Sequence, residues 1–282
     1  MRFVLLKQFI PPVLITIFRK FKKGPRPRIS SSSFQYGWFG NYSSWEEAKS
    51  NSVGYDSEII VEKVKDSLLR VKHGEAIYER DSILFDEIQY SWGLLAGLLR
   101  AALENDGKLC VLDFGGSLGS TYYQNREFLS SLRSLQWCVV EQPLFVDCGK
   151  EFFEEDQLKF YATIEECLNK HKPNVLLLSG VLQYLERPYK WIEKFVGLKI
   201  PYIIIDRTAF VEGEKEILTV QNVPESIYLA SYPAWFFNEL KFKSQFKQYS
   251  LIGDFESFCD DRIILNSLHI AKWVGYQFML MQ

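Results

Sequence analysis

Residues Leu109 to Ser120 leave this chain few folds to choose from. They read Leu-Cys-Val-Leu-Asp-Phe-Gly-Gly-Ser-Leu-Gly-Ser, an apolar run that ends in Asp113 and breaks at once into three glycines among small neighbours. A helix-compatible segment follows from about Thr121. A buried parallel strand needs that order if its C-terminal tip is to hold a small charged or nucleoside-like ligand. Glycines allow a tight turn and let a ligand lie against bare amides. The N-terminus of the next helix adds unpaired N–H donors.

From Lys108 onward, short apolar strands alternate with helical stretches. Strands are expected at 109–113, 137–141, 158–161, 175–179 and 202–206, with helices at 121–132, 144–153, 164–170 and 188–195 between them. Five strands spaced by helices imply an α/β, doubly wound, mostly parallel sheet. Beyond Asp206 the rhythm loosens. A helix is expected around 234–240, then strands at 248–255 and 274–281 that would form an antiparallel C-terminal edge. Before the sheet, Ser44-Trp45-Glu46-Glu47 has capping-box spacing. Residues 56–71 carry one apolar helical face, and Asp81-Ser82 is expected to cap a helix running to about Leu103. Three domains result: a basic amphipathic segment and linker (1–33), a helical aromatic-rich cap (34–107) and a Rossmann-like domain (108–282).

Charge is unevenly spread. The first 45 residues hold eight Lys and Arg and no acid. Of 33 basic and 35 acidic residues in the whole chain, the remainder therefore keeps 25 against 35, a net charge of about −10. An acidic body is a poor nucleic-acid binder, because phosphate neutralisation dominates such affinity. The segment from Phe3 to Phe21 is interrupted by Pro11 and Pro12 and falls short of the ~20 apolar residues that span a bilayer. It suits a peripheral contact with an anionic inner-membrane face, or a basic arm docked on the body. Five cysteines (Cys110, Cys138, Cys148, Cys167, Cys259) show no paired spacing, which favours a reducing cytoplasm. The three histidines form no ligand pair, so no metal is expected. Oligomeric state is not encoded in any visible pattern.

In a doubly wound sheet, ligands sit outside the strand C-termini, so the strand ends carry the chemistry. The first ends in Asp113, Gly115, Gly116, Ser117 and Gly119. The second ends in Glu141 and Gln142, 26 residues past Gly115, where an acid can accept both hydrogen bonds of a ribose diol. The fourth ends in Ser179 and Gly180, followed by Gln183 and Tyr184; the fifth ends in Asp206 and Arg207. Each has a plain alternative as a tight connection, an exposed strand-end acid or rim packing. Their conjunction in order points to nucleoside binding. The dinucleotide pattern Gly-x-Gly-x-x-Gly fits poorly, since Ser117 and Ser120 fall on its second and third glycines, and no P-loop is present.

The spacing Asp-x-Gly-x-small-x-Gly instead resembles motif I of class I S-adenosylmethionine-dependent methyltransferases. The strings WEEA (45–48), VLDFGGSLGSTYYQNR (111–126), VVEQP (139–143), LLLSGVLQYLERP (176–188), IIIDRT (203–208) and IYLASYPAWFF (227–237) narrow the likeness. They resemble a bacterial family of such methyltransferases often associated with cell-surface polysaccharide gene clusters. The match runs from about Phe39 to Phe255, with one departure: Ser117 replaces the middle glycine of the general pattern.

The resemblance implies S-adenosylmethionine as cofactor. It places Asp113, Gly115, Gly116, Ser117 and Gly119 against the methionine part and Glu141 with Gln142 at the ribose. Ser179, Gly180, Gln183 and Tyr184 fall on the adenine side or the transfer mouth. For a hydroxyl acceptor Asp206 is the first candidate base and Tyr184 the second. Arg207, Tyr232 and Trp235, with aromatics such as Trp38, Trp45, Tyr55 and Tyr228, would meet a small-molecule or glycan acceptor. The same aromatics could equally pack the cap onto the sheet. Two further readings stay open: a catalytically degenerate binding or scaffold module on the same fold, and an NAD-dependent oxidoreductase.

Overall fold

The computed structural model describes residues 36–54, 57–224, 230–257, 262–266 and 268–281. The basic segment and linker (1–33), Phe34, Tyr55, Asp56, Tyr228 and Cys259 lie outside the described residues.

The chain opens with β1 (Gly37–Phe39), α1 (Trp45–Ser50) and α2 (Ser57–Lys72), then β2 (Tyr78–Arg80), β3 (Ile83–Phe85) and α3 (Trp92–Leu103). The alternating region follows as β4 (Lys108–Phe114), α4 (Ser120–Leu129), β5 (Ser134–Val140), α5 (Pro143–Phe152), β6 (Leu158–Tyr161), α6 (Ile164–Lys170), β7 (Val175–Ser179), α7 (Pro188–Gly197) and β8 (Tyr202–Val211). The chain continues through β9 (Ile217–Asn222), β10 (Ser231–Asn238), α8 (Glu239–Lys243), β11 (Tyr249–Glu256), β12 (Ile263–Leu265) and β13 (His269–Leu280).

The main sheet reads β6-β5-β4-β7-β8-β13-β11, parallel from β6 to β8 and antiparallel at β13 and β11. The fold is Rossmann-like. The chain winds outward from β4 to β6, then returns to β7 on the other side, so the topological switch point lies at the tip of β4, where Asp113 ends the apolar run. Side chains of period two divide the core. Leu109, Val111, Trp137 and Val139 face α2 to α5, whereas Leu112, Cys138, Val140 and Leu178 face α6, α7 and α8.

Two stretches differ from the sequence expectation. No helix begins at Asp81-Ser82: those residues have φ of 51° and 66° and form the two-residue turn of the β2–β3 hairpin. Positive φ at both centres is the signature of a type I′ turn, whose twist matches the flanking strands. The helix starts ten residues later, at Trp92. Likewise the expected helix at 234–240 is strand β10 over most of its length, and only 239–243 is helical. The aromatic run Tyr-Pro-Ala-Trp-Phe-Phe suits a pleated surface, and it pairs with β9 across six residues.

β9, β10 and β1 form an antiparallel lobe grafted onto β8. β7 pairs with β8 from Tyr202 to Asp206, and β10 pairs in parallel with Phe210 and Val211. The edge of β8 thus changes neighbour just past Asp206. Gln183 Nε2 donates to the Arg207 carbonyl in this gap at 3.1 Å. Among the described residues no helix is long and apolar enough to cross a membrane.

Candidate active site

The strand tips enclose a cavity of about 500 Å³. Its lining includes Asp113, Gly115, Gly116, Ser117, Glu141, Gln142, Ser179, Gly180, Tyr184, Asp206, Arg207 and Tyr232. Residues separated by 119 positions in sequence therefore share one wall. Three of the sequence candidates stand apart. Gly119 is the N-cap of α4, with φ of 93°. Gln183 is buried behind the wall, with Nε2 committed to the β8 carbonyl. Trp235 stacks on Trp45 with ring centroids 6.4 Å apart, and it is Trp45 that lines the cavity.

The glycine turn is built around the Asp113 carboxyl. Trp137 Nε1 donates to Asp113 Oδ2 at 2.9 Å. A Cβ placed on Gly116 would fall 2.5 Å from that carboxyl group, so only a bare backbone can cross it. One on Gly115 would fall 2.5 Å from a Val181 methyl. The Ser117 amide donates to Glu141 Oε1 at 3.3 Å, and the Gln142 amide donates to Oε2 at 2.7 Å. Glu141 thus ties the β4 turn to the β5 tip. Each of its oxygens keeps a lone pair for a further donor.

Ser117 itself has φ of 55°. The left-handed region costs a residue with a Cβ about 1 kcal/mol or more. Ser117→Gly should therefore raise stability by about 1 kcal/mol, visible as a Tm gain of roughly 2–4 °C in thermal melts. An unchanged or lower Tm would mean that the Ser117 side chain compensates the strain.

Three buried acids line this space, and a fourth, Glu79, lies behind Ser120. Burial raises the Asp113 carboxyl to about 7, with the Trp137 hydrogen bond opposing the rise. Glu79, on the hairpin strand β2, is likewise raised to about 7 by burial. It accepts hydrogen bonds from Ser120 Oγ and from the Ser82 amide. Burial also raises Glu141 and Asp206. Asp206 is 2% exposed; Ser179 Oγ donates to its Oδ2 at 3.4 Å, while Oδ1 has no hydrogen-bond partner among the described residues. Arg207 next to it, at φ 48°, donates to Ser179 Oγ at 3.3 Å and pairs with Asp81 at 3.4 Å. Acids so poor in solvent favour a cation beside them, and Arg207 and Arg80 on the same wall already supply part of that charge.

The outer part of the cavity is aromatic. Tyr184 and Tyr232 meet edge to face at 5.3 Å, and Tyr184 Oη donates to Gln221 Oε1 at 2.8 Å. Trp45, Lys49 and Pro233 complete that side. Trp38, by contrast, is packing: it lies against Trp273 at 4.9 Å and Phe236 at 6.0 Å.

Sequence reasoning missed Tyr78, Arg80 and Asp81, because they reach the cavity on a hairpin that was read as a helix start. It also missed Ser120, Thr121 and Gln124 on α4 and Val181 after β7. Their signal was present, since they follow the glycine turn and the β7 tip directly.

No protein-family model matches the sequence, and no curated protein matches it. Solved structures similar in shape include an S-adenosylmethionine-dependent methyltransferase from Clostridium acetobutylicum, at 10% identity and a TM-score of 0.44, covering 69% of this chain and 93% of the other. The N-terminal domain of EvdMO1, determined in the presence of SAH and D-fucose, is 12% identical with a TM-score of 0.44, covering 81% and 98%. Magnesium protoporphyrin IX methyltransferase from Synechocystis, with bound SAM, is 11% identical with a TM-score of 0.42, covering 67% and 79%.

Proposed function

We propose that the chain is an S-adenosylmethionine-dependent methyltransferase acting on a small or glycan-linked acceptor. The observation that supports this most is the glycine turn folded over the buried Asp113 carboxyl with Glu141 braced beside it. The turn is so close over Val181 and Asp113 that a Cβ at position 115 or 116 would collide with them, which leaves its bare backbone on the cavity wall. The donor set suits the cofactor's chemistry. The sulfonium and ammonium groups are cationic, and the buried carboxyls of Asp113, Glu141 and Asp206 line the same cavity, although Lys49, Arg80 and Arg207 line it too.

In this reading Gly115, Gly116 and Ser117 present backbone to the methionine part, and Glu141 takes the ribose hydroxyls. Bound there, the cofactor supplies an electrophilic methyl group. The protein's own part is alignment and exclusion of water. Asp206 lines the cavity with its unpaired Oδ1 buried just beneath the wall, and it is the residue we assign to accept a proton from an acceptor hydroxyl. Its raised proton affinity is what a general base near neutral pH needs. Tyr184 has its hydroxyl committed to Gln221 and is better suited to orienting the acceptor. Tyr232, Trp45 and Pro233 offer flat apolar faces of the kind on which sugar rings stack, with Arg207 as the neighbouring polar contact. The basic N-terminal segment, with eight cations and no acid in 45 residues, would add affinity for an anionic membrane face.

Calorimetry with S-adenosylmethionine and S-adenosylhomocysteine tests the core of this reading. Wild-type protein should bind both, and Glu141→Ala should bind at least ~10-fold more weakly, since a charge-assisted hydrogen bond is worth about 1.5–3 kcal/mol. Its melting temperature should stay close to that of the wild type. Absence of any binding heat for wild type at high micromolar ligand would sink the proposal.

A further inference from the structure

A second constellation lies on the other face of the sheet from Asp113, and the cofactor reading does not involve it. Cys110 of β4, Cys138 of β5 and His171 at the C-terminal cap of α6 bring their ligand atoms within 4.8 Å of one another. The Cys138 thiol touches both Cys110 and Cys167. His171 leaves α6 in an extended conformation, and Cys167, one turn earlier, stands beside Cys138 but outside the convergent trio. Both thiols of the trio are free.

From this convergence we propose a zinc site formed by Cys110, Cys138 and His171, with the fourth position left to water from the depression that His171 lines. Tetrahedral zinc takes Cys and His together, with Zn–S bonds of about 2.3 Å and Zn–N bonds of about 2.0 Å. Sulfurs around such an ion lie about 3.8 Å apart, so the trio needs to close by no more than about an ångström. Tyr161 Oη lies 2.7 Å from His171 Nε2. That contact leaves Nδ1 for the cation and supplies the outer-shell partner that fixes a ligating imidazole. His171 also lines an open surface depression with Tyr161, Glu166 and Lys170, which gives the ion a way in. Binding displaces the two thiol protons to solvent and leaves two thiolates and a neutral imidazole on the metal, with no change of oxidation state. An ion there would pin β4, β5 and the end of α6 together.

The bland alternative is that these thiols are small apolar fillers, and cobalt separates the two. The reduced full-length chain should take up one equivalent of Co²⁺, with thiolate charge-transfer and tetrahedral d–d absorption. One equivalent of Zn²⁺ should abolish both and raise Tm by roughly 5 °C or more. Cys110→Ser and His171→Gln alter only partly buried positions. Each should weaken zinc binding beyond the ~10–100-fold lost with an outer-shell partner, and Tyr161→Phe should fall within that range. The site is refuted if wild type shows no cobalt absorption, or if His171→Gln leaves the absorption and affinity unchanged. Cofactor binding by calorimetry is a separate readout, so failure here leaves the methyltransferase reading standing.

Discussion

Gly116→Ala should cost the protein at least ~100-fold in S-adenosylmethionine affinity while leaving it folded, an effect of about 3 kcal/mol. Position 116 has no positive φ, so alanine brings no backbone strain there. The whole penalty comes from the added methyl, 2.5 Å from the Asp113 carboxyl. Asp113 cannot swing away freely, because its other side is held by Trp137 in the core of the sheet. Either the turn lifts or the carboxyl rotates, and both open the gap in which the ligand's cationic end would lie. Asp113→Ala removes the obstacle together with the charge, so the double variant should bind no worse than Asp113→Ala alone. Calorimetry on the three variants measures that coupling. Independent, additive losses would show that the close approach of Gly116 to Asp113 is not what shapes the site.

The second large effect is in stability against pH. Glu79 and Asp113 hold protons in the folded state up to about 7, whereas the unfolded chain releases them near ordinary carboxylate values. Below about pH 4 both states are protonated and the difference vanishes. Between there and pH 7 the folded state binds more protons, so stability falls as pH rises, and it levels off above 7. At ~1.4 kcal/mol per pKa unit each acid accounts for a decline on the order of 3 kcal/mol. His171, lowered by burial, acts in the opposite sense below its own ordinary value. Urea unfolding from pH 5 to pH 8 should show a net fall in stability. Glu79→Gln should flatten the slope and be the more stable protein at pH 8. Parallel curves for the two would rule out Glu79 as a protonated buried acid. A cationic ligand beside Asp113 favours its ionised form, so affinity should tighten as pH rises through the same window.

Much of the fold was legible because it rests on short-range chemistry. The apolar run, the acid and the glycines at 109–119 specify a strand, a tip and a turn locally, and β5, β7 and β8 are marked by β-branched or leucine-rich runs. What escaped depends on distant partners. Asp81-Ser82 has capping residues that equally suit a tight turn, and the choice is made by the pairing of Tyr78 with Phe85. Residues 231–238 become a strand because β9 lies alongside. The same distinction governs the sites. Asp113, Glu141 and Asp206 were found because strand tips in a known winding converge, whereas Cys110, Cys138 and His171 are brought together by sheet register and one helix, which spacing along the chain does not reveal.

The change of neighbour along β8 is in effect a splice joint. Up to Asp206 the strand belongs to the frame that carries Asp113 and Glu141; from Phe210 it supports the excursion through β9 and β10. A graft replacing residues 212–238 would keep the β4 and β5 tips, receive a new opposite wall, and have to supply new partners for Tyr184 and Tyr189, which bond Gln221 and Glu216. Its last strand would have to lie in parallel beside Phe210 and Val211 and accept β1 through its partner strand. The β4 and β5 tips and the β10 side of the cavity thus lie on opposite sides of that joint, with Tyr184 reaching across it to Gln221.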